Sequence, residues 1–467
     1  MSDYKLVIGG KLVDGASSME VINPATGKVL TTCPRANVEQ ANEAVAAAKA
    51  AFKGWANTPV EERRAALGKI ADAMEGNIAE LAKQLTQEQG KPTKEAMEEI
   101  GGAAAFIRYF ATLETPPKVI EDSEVRRVES HRKPLGVVAA IIPWNFPILL
   151  ACGKIGPALL TGNTMVVKPA PTTPLTTLML GKICNDILPA GVLNVITDQN
   201  DLGATLTAHP DVRKVSFTGS TATGKKVMAS ASDTIKRVTL ELGGNDAAIV
   251  LDDVDPKETA AALFGGAFAN TGQVCLAIKR LYVHESIYDE MVDELSKHAQ
   301  AAVMGDGLAE GTTLGPIQNK MQFEKVKGML EETRSAGKIV IGGEVTEDGG
   351  YFIRPTIVRD VTDGDRIVDE EQFGPILPVI KYSDPEDALA RANSSSYGLG
   401  GSVWSKDAKR ATQIAARLES GTAWVNKHLD LGPNIPFGGA KQSGIGVEFS
   451  EEGLAEFTQM QVVNVAK

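Results

Sequence analysis

The chain has 467 residues, 43% of them hydrophobic and 23% charged, which is typical of folded globular proteins and excludes a disordered or fibrous chain. Its 48 basic and 59 acidic side chains leave a net charge of -11 without a long basic tract, so nucleic acid is not an expected partner. No apolar run approaches the roughly 18 residues that cross a bilayer, and no secretory signal is visible. We therefore expect a cytoplasmic protein with no membrane partner.

The first quarter of the chain is mainly helical. Its first 30 residues alternate short β-rich runs with turn residues, which predicts one small meander. Asn37 and Gln40 form a capping box that opens an Ala-rich helix to about residue 52, and a second box at residues 58–61 opens a helix that ends at Gly90. A third helix is predicted over about residues 93–115.

From Gly136 onwards, apolar strands alternate with helices, which is typical of βαβ units in a parallel sheet. A second series of this kind runs from residue 255 to about residue 424, so the sequence predicts an α/β fold with two α/β domains. Residues 461–465 form a strand-like end that could pair elsewhere. The strands predicted in the first series cover residues 137–142, 164–167, 192–196, 214–217, 238–240 and 247–251.

The cysteines and histidines show neither disulfide nor metal-site spacing. The four cysteines lie far apart without a C-x-x-C pair, and the five histidines form no H-x-x-x-H pair. We therefore expect no metal site, and a cysteine with a function would act alone. The cysteines are Cys33, Cys152, Cys184 and Cys275.

Four segments place small or polar residues at the ends of elements, where an α/β protein has its ligand site. Taken singly, each is better explained structurally, as a strand exit, as loop glycines or as a buried cysteine. The segments are residues 143–147 (Pro-Trp-Asn-Phe-Pro), 217–220 (Phe-Thr-Gly-Ser), 241–244 (Glu-Leu-Gly-Gly) and 272–275 (Gly-Gln-Val-Cys).

The second segment suggests a dinucleotide site although the G-x-G-x-x-G fingerprint is absent. It follows a predicted strand, and Gly219 and Gly224 bracket the start of the next helix. A helix N-terminus approached by small residues can bind a pyrophosphate without that fingerprint. Lys168, at the end of another parallel strand, could add a charge near a ribose.

In this order, the four segments closely resemble the aldehyde dehydrogenase superfamily, and the resemblance spans almost the whole chain. It also includes residues 23–27 (Asn-Pro-Ala-Thr-Gly), 370–375 (Glu-Glu-Gln-Phe-Gly-Pro) and 436–439 (Pro-Phe-Gly-Gly). The resemblance implies an aldehyde dehydrogenase-like α/β fold: a Rossmann-like cofactor domain, a catalytic α/β domain and a β oligomerisation flap. It implies a homodimer or homotetramer.

The domain bounds follow from the same resemblance. The cofactor domain is expected to contain residues 1–122 and 134–250, and the catalytic domain residues 251–435. The flap is expected to contain residues 123–133, as a hairpin, and residues 450–467 of the C-terminal tail.

Aldehyde oxidation suits a single reactive cysteine. Thiolate addition to an aldehyde makes a tetrahedral thiohemiacetal whose oxyanion expels hydride to a nicotinamide, and the resemblance implies Cys275 as the nucleophile. It implies that the Asn145 side chain and the Cys275 backbone N–H hold the oxyanion. Glu241 resembles the general base that activates water to hydrolyse the thioester, which favours a carboxylic acid product.

NAD or NADP is the implied cofactor, with Glu371 on the nicotinamide ribose and Phe373 against the nicotinamide. Many NAD-preferring relatives carry Glu three residues after the lysine, where this chain has Pro171. Since a carboxylate there would repel a 2′-phosphate, the preference stays open. The implied cofactor residues are Lys168, Trp144, Gly219, Ser220, Leu242, Glu371 and Phe373.

The implied substrate is a small-molecule aldehyde. Gly153 stands where relatives that act on small aliphatic aldehydes often carry a bulky aromatic residue, which predicts a wider tunnel. The tunnel mouth is apolar without a basic cluster, so we expect aromatic or medium-chain aldehydes to be preferred over succinic semialdehyde. The expected tunnel residues are Phe146, Gly153, Leu276, His428, Leu429 and Leu431.

Three alternatives remain open. A coenzyme A-acylating relative would pass on the thioester, but such enzymes usually lack the glutamate matched by Glu241. A family member kept as a binding or structural protein would not need Cys275, Asn145 and Glu241 intact. A cysteine hydrolase would want a histidine partner for Cys275, and the sequence nominates none.

Overall fold

A computed structural model describes residues 4–336, 338–346 and 349–467. Residues 1–3, which the predicted first domain includes, lie outside the described residues. The helices are α1 (Val38–Asn57), α2 (Val60–Gly76), α3 (Ile78–Gln89), α4 (Thr93–Thr112), α5 (Pro147–Leu160), α6 (Leu175–Asn185), α7 (Gly203–Ala208), α8 (Thr221–Ser232), α9 (Pro256–Phe268), α10 (Tyr288–Ala301), α11 (Lys320–Ala336), α12 (Arg366–Asp369), α13 (Pro385–Asn393), α14 (Ala408–Ala415) and α15 (Ser450–Ala455).

The strands are distributed along the whole chain. They are β1 (Leu6–Ile8), β2 (Lys11–Val13), β3 (Ser17–Asn23), β4 (Lys28–Arg35), β5 (Lys118–Asp122), β6 (Arg126–Pro134), β7 (Val137–Ile141), β8 (Thr164–Lys168), β9 (Leu193–Val195), β10 (Val212–Thr218), β11 (Arg237–Glu241), β12 (Asp246–Val250), β13 (Ile278–His284), β14 (Lys338–Ile341), β15 (Thr356–Arg359), β16 (Ile376–Tyr382), β17 (Tyr397–Gly398), β18 (Gly400–Trp404), β19 (Thr422–Val425), β20 (Ala440–Lys441), β21 (Gly444–Ile445) and β22 (Thr458–Ala466).

In the described chain, an 8-stranded sheet has the order β2-β1-β9-β8-β7-β10-β11-β21. The run from β9 to β11 is parallel, and β1 and β21 add antiparallel strands on either side of it. Both β7 and β8 are buried along their whole length, as expected of parallel strands covered by helices on both faces. The carboxyl ends of β8, β7, β10 and β11 therefore lie side by side at one edge of the sheet.

A 7-stranded sheet in the described chain has the order β14-β15-β16-β13-β12-β18-β19, parallel except for β14. Alternate residues of β12 belong to different cores: Ala247 and Ile249 pack in one, and Ala248 and Val250 pack in the other. This alternation follows from the two-residue repeat of a strand with helices on both faces. The predicted α/β fold is confirmed.

The C-terminal strand β22 pairs antiparallel with β6 along nine residues, from Thr458 opposite Pro134 to Ala466 opposite Arg126. Strand β5 pairs with the other side of β6, so the three strands form a separate sheet. The predicted terminal strand at residues 461–465 is confirmed, and it pairs with the predicted hairpin region.

The helix predictions in the first quarter are only partly confirmed. Asn37 and Gln40 form the predicted reciprocal capping box at α1, and Gly90 ends α3 in the left-handed conformation that favours glycine. The box at residues 58–61 was wrong: Pro59 takes the cap position without a side-chain hydrogen bond. The single helix predicted up to Gly90 is two helices, because the backbone leaves the helical conformation at Asn77.

Two strand predictions also need correction. The predicted single meander is two hairpins: β1 and β2 extend the 8-stranded sheet, whereas β3 and β4 form a sheet of their own. Strand β12, which the sequence analysis puts in the first series of strands, lies inside the 7-stranded sheet. Both differences concern strand pairing between distant segments, which local periodicity does not specify.

None of the described helices combines the length and the apolar character needed to cross a membrane.

Candidate active site

A cavity of about 630 Å³ lies at the carboxyl ends of strands β8, β7, β10 and β11. In open α/β sheets this edge is where ligands bind. Nine of the ten predicted catalytic and cofactor residues line this cavity, and Glu241 is the exception. The nine are Asn145, Cys275, Trp144, Lys168, Gly219, Ser220, Leu242, Glu371 and Phe373.

The loop that carries Cys275 has a strained backbone. Asn270, Thr271 and Gly272 follow α9 with φ values of 47°, 60° and 73°, in the left-handed region. For the β-branched Thr271 this conformation is unfavourable. The surrounding structure maintains it: the Asn270 side chain donates to the Asn145 carbonyl at 3.1 Å, and the Thr271 hydroxyl donates to the Gly315 carbonyl at 2.9 Å.

Lys279 holds the backbone of the loop that carries Cys275 from the other side. Its buried Nζ donates to the carbonyl oxygens of Val274 at 2.9 Å and Cys275 at 2.7 Å. The same ammonium group is 3.5 Å from the Glu371 carboxylate. Lys279 thus fixes the position of Cys275 and places a positive charge beside it.

Burial raises the pKa of the Cys275 thiol to about 12, the charge of Lys279 opposes this rise, and Asp246, Glu241 and Glu371 add to it. The thiol is therefore neutral at neutral pH in the free protein. Since the thiolate is the reactive form of a cysteine, Cys275 would have to lose its proton in order to act as a nucleophile.

Asn145 connects the exit of β7 to the loop that carries Cys275. Its Nδ2 donates to the Gln273 carbonyl at 3.0 Å, and its own carbonyl accepts from the buried Lys91 Nζ at 3.0 Å. Lys91 is in turn 2.5 Å from Glu99, which accepts the first backbone N–H groups of α5. The Asn145 amide is thus held rigidly at the cavity wall beside Cys275.

Glu241 ends β11 and is 2% exposed. Neither of its carboxylate oxygens has a hydrogen-bond partner among the described residues. Burial raises the pKa of Glu241 well above its ordinary value, Glu448 raises it further, and Lys154 lowers it. Lys154 itself pairs with Glu448 in the interior. A buried carboxyl group without a partner is costly, which indicates a functional role.

The N-terminus of α8 faces the cavity through Gly219 and Ser220. Ser220 caps the helix by accepting the Thr223 backbone N–H, and Gly219 N–H donates to the Glu241 carbonyl at 3.0 Å. Gly224 is needed for close packing, because a β-carbon there would lie 2.4 Å from Leu242. This arrangement suits a pyrophosphate, whose negative charge is favoured at a helix N-terminus.

Three predicted cofactor residues, Trp144, Glu371 and Phe373, lie close together. The rings of Trp144 and Phe373 meet edge to face with centroids 5.3 Å apart. The Glu371 Oε1 accepts the Gly244 backbone N–H at 3.1 Å. A β-carbon on Gly243 would be 2.6 Å from the Glu371 Oε2, so the glycine allows the carboxylate to approach the backbone.

The predicted tunnel set lies outside the described lining of the cavity. His428 Nε2 donates to the Leu276 carbonyl at 2.6 Å, and burial lowers the pKa of this histidine to about 4. His428 is therefore neutral and holds the backbone next to Cys275. The Phe146 ring packs under the Lys91 ammonium group at 3.7 Å. Leu429 is partly buried against the core, and Leu431 is exposed.

The open space predicted from Gly153 is filled by Phe449. A β-carbon on Gly153 would be 2.8 Å from the Phe449 ring, which also contacts the rings of Phe106 and Phe437. The missing side chain thus admits a ring from a segment almost 300 residues further along the chain. The sequence argument missed this ring because a distant segment supplies it.

Sequence reasoning missed the polar groups that support the site. Lys279 lies four residues after Cys275, and its spacing could have marked it as a neighbour. No local signal nominates the other groups, because each meets the site through the tertiary fold. These are Lys91, Glu99, Lys154, Asp198 and Glu448.

One thiol, an amide donor and a buried carboxyl group at the edge of a parallel sheet define a site for covalent catalysis next to a dinucleotide-sized cavity. The family model for the aldehyde dehydrogenase family matches residues 12–463. The chain belongs to the aldehyde dehydrogenase family. It is an NAD(P)-dependent aldehyde dehydrogenase, as the sequence analysis predicted.

Relatives with different named substrates are similar to this chain. It is 40% identical to a phenylacetaldehyde dehydrogenase of Pseudomonas fluorescens over 486 aligned residues, with 99% of this chain and 96% of the relative covered. It is 38% identical to a mitochondrial succinate-semialdehyde dehydrogenase of Arabidopsis thaliana, with 98% and 88% covered. The NAD+ complex of a Bacillus cereus aldehyde dehydrogenase superposes with a TM-score of 0.97 at 38% identity, with 100% and 97% covered.

Proposed function

We propose that the enzyme oxidises its aldehyde to the carboxylic acid through a thiohemiacetal and a thioester on Cys275. The observation that carries this proposal is Glu241, a buried carboxyl group whose oxygens have no partner among the described residues. A coenzyme A-acylating enzyme has no need of such a base, since the thiol of coenzyme A takes the acyl group. A non-catalytic protein would not need the reactive groups that this structure brings together.

Each catalytic group has a defined task. Cys275 loses its proton and attacks the aldehyde carbon, and the Asn145 amide and the Cys275 backbone N–H stabilise the oxyanion. A nicotinamide cofactor bound in the cavity would supply the acceptor for the hydride that the thiohemiacetal releases. Glu241 then takes a proton from water as its oxygen adds to the thioester carbon; the bond from that carbon to the Cys275 sulfur breaks, the acid leaves, and the Cys275 thiolate is reprotonated.

The residues around the cavity fit a nicotinamide dinucleotide. The α8 N-terminus with Gly219 and Ser220 would hold the pyrophosphate, and Glu371 would hold the nicotinamide ribose. Phe373, Trp144 and Leu242 would contact the nicotinamide side, and Lys168 would contact the adenosine ribose. All of them line one continuous cavity.

For the substrate, we propose an aromatic or medium-chain aldehyde. The cavity lining includes the apolar side chains of Leu150 and Trp144. The predicted tunnel residues Phe146, Leu276, Leu429 and Leu431, which lie outside that lining, are apolar as well. Apolar contacts bind such side chains, while a substrate carboxylate needs a basic partner. The similarity to a phenylacetaldehyde dehydrogenase agrees with this proposal.

We also propose that the two large sheets mark a cofactor domain and a catalytic domain, with the boundary between β11 and β12. The sheet formed by β22, β6 and β5 would then be an oligomerisation flap. It carries exposed apolar side chains, which a second copy of the chain would cover. These side chains include Ile120, Met460, Val462 and Val465.

A spectrophotometric screen tests the proposed reaction. Aliphatic, aromatic and semialdehyde substrates are each tested with NAD and with NADP, and reduced nicotinamide and the acid product are measured. Cys275→Ala should lower turnover by about 10³-fold or more but leave dinucleotide binding unchanged, whereas Cys184→Ala should stay active. Turnover by Cys275→Ala, or a strict requirement for coenzyme A, would contradict the proposal.

A further inference from the structure

Lys168 and Asp198 form a buried ion pair at one end of the cavity. The Lys168 Nζ donates to the Asp198 Oδ1 at 2.6 Å, and the two side chains are 4% and 0% exposed. The other oxygen, Oδ2, accepts the Leu202 backbone N–H at 2.8 Å. The carboxylate is thereby fixed just before α7, so it stays beside the lysine.

The ion pair lies far from the nucleophile. Strands β8, β7, β10 and β11 are successive neighbours, and at about 4.8 Å per strand the ends of β8 and β11 are about 14 Å apart. Lys168 ends β8. Cys275 instead adjoins the segment that follows β11, because the Cys275 carbonyl oxygen is only 2.6 Å from the position that a β-carbon on Gly244 would take. If a dinucleotide binds as in the proposed function, with its nicotinamide at Cys275, its adenosine ribose lies at Lys168.

We propose that Asp198 makes this enzyme select NAD over NADP by neutralising Lys168; this inference rests on the proposed function. An unpaired ammonium group at this position would attract a 2′-phosphate, which carries a charge of about −1.5 to −2. With Asp198 in contact with Lys168, the ion pair has no net charge, and the Asp198 carboxylate repels the 2′-phosphate of NADP. An ammonium group has three donors, so Lys168 can still donate to a ribose hydroxyl.

Asp198 thus supplies the negative charge that the sequence lacks at Pro171. The local pattern after Lys168 contains no acidic residue, and the loop between β9 and α7 brings one in from 30 residues away. Two further lysines line the cavity in the described chain, Lys320 and Lys325. The Lys325 ammonium group is held by the Glu371 carbonyl, to which it donates at 2.8 Å. We therefore test Lys320 as the other possible partner of a 2′-phosphate.

Calorimetric titration at constant salt tests the proposal on the full-length protein. NAD, NADP, 5′-AMP and 2′,5′-ADP are titrated into the wild type and into Asp198→Asn, which keeps the shape of the side chain without its charge. We expect the wild type to bind NAD at least tenfold more tightly than NADP. Asp198→Asn should reduce the ratio of the NADP dissociation constant to the NAD dissociation constant at least tenfold. The ratio of the 2′,5′-ADP dissociation constant to the 5′-AMP dissociation constant should fall as well.

Three further variants identify the side chain that is responsible for the gain in NADP binding of Asp198→Asn. Adding Lys168→Gln to Asp198→Asn should abolish the gain in NADP binding, because the freed ammonium group is gone. Asp201→Asn, which removes an exposed carboxylate in the same loop, should leave the ratio unchanged. Lys320→Met in the Asp198→Asn background should keep the gain; loss of the gain there would assign the effect to Lys320 and overturn the proposal.

The outcomes separate this inference from the proposed function. A wild type that binds NAD and NADP equally would overturn the role of Asp198, whether or not the variants fold. An unchanged ratio in a folded Asp198→Asn, checked by its thermal unfolding, would do the same. A wild type that binds neither dinucleotide would instead contradict the proposed function itself.

Discussion

Cys275 and Glu241 both lie in surroundings that favour their neutral forms. Burial raises the pKa of each group; Glu448 adds to the rise for Glu241, and Asp246, Glu241 and Glu371 add to it for Cys275. Each group is therefore harder to ionise in the free protein than in water. This keeps the thiol from reacting when no aldehyde is bound, because the thiolate is the reactive form.

Glu241→Gln should slow thioester hydrolysis more than hydride transfer. A general base contributes roughly 10²- to 10⁴-fold, so steady-state turnover should fall by this factor while a rapid burst of reduced cofactor survives in stopped-flow measurements. Glu310→Gln, an exposed glutamate on a loop, is the control. Unchanged turnover would remove Glu241 from the mechanism, and loss of the burst would assign it to activation of Cys275.

Lys279→Met should make the Cys275 thiol harder to ionise, because the ammonium group lowers the thiol pKa. If the pKa rises by about one unit, alkylation by iodoacetamide at a fixed pH slows about tenfold. Peptide mass spectrometry reports Cys275 separately from the three buried cysteines. Lys279→Arg keeps the charge and should retain most of the rate. Equal rates for Lys279→Met and wild type would show that the charge does not act on the thiol.

In the wild type, the alkylation rate should rise with pH throughout the neutral to moderately alkaline range. The thiol pKa of about 12 lies above this range, so the thiolate fraction grows about tenfold with each pH unit. A plateau below about pH 9 would mean a far lower thiol pKa than the buried site implies.

At the scale of elements, helix α5 is shaped by its contact with the segment that carries Phe449. Gly153→Ala should destabilise the protein by about 1–3 kcal/mol, since the added methyl group overlaps the Phe449 ring. Gly68→Ala in α2, where nothing lies within 4 Å of the new β-carbon, should instead stabilise by about 0.5–1 kcal/mol. Urea unfolding followed by circular dichroism measures both. An unchanged free energy of unfolding for Gly153→Ala would mean that the Phe449 ring moves aside without cost.

The helical first quarter supports the site through one buried contact. Lys91 follows the glycine cap of α3, and Glu99 lies on α4, yet their ion pair meets the Asn145 carbonyl and the start of α5. Helices α3, α4 and α5 are therefore coupled to the position of Asn145. The capping pattern predicts where these helices begin and end, but not that they meet at this residue.

At the scale of the whole molecule, the flap predicts self-association. Met460→Lys combined with Val462→Lys places two charges on one face of β22, where the native side chains are 53% and 54% exposed. We expect the wild type to be a dimer or tetramer and this variant to be a monomer by analytical ultracentrifugation. Val303→Lys, which changes an exposed valine elsewhere, is the matched control. A monomeric wild type at micromolar concentration would contradict the proposed flap.

Much of this protein could be predicted from its sequence alone. The alternation of buried strands and helices predicts the parallel sheets, because periodicity reports which faces are covered. The Gln40 capping box and the Gly90 cap act over a few residues, so local sequence specifies them. The ordered segments around Asn145, Glu241 and Cys275 predict the family, because they lie next to strand ends that the fold brings to one edge.

Tertiary structure alone decided which distant groups meet. Asp198 reaches Lys168, Phe449 fills the space beside Gly153, and β12 pairs into the second sheet. The carboxyl group of Glu241 is isolated because other chain segments exclude water and offer it no donor. Such contacts depend on how the sheets and helices pack in three dimensions, whereas sequence periodicity records only the burial of each element.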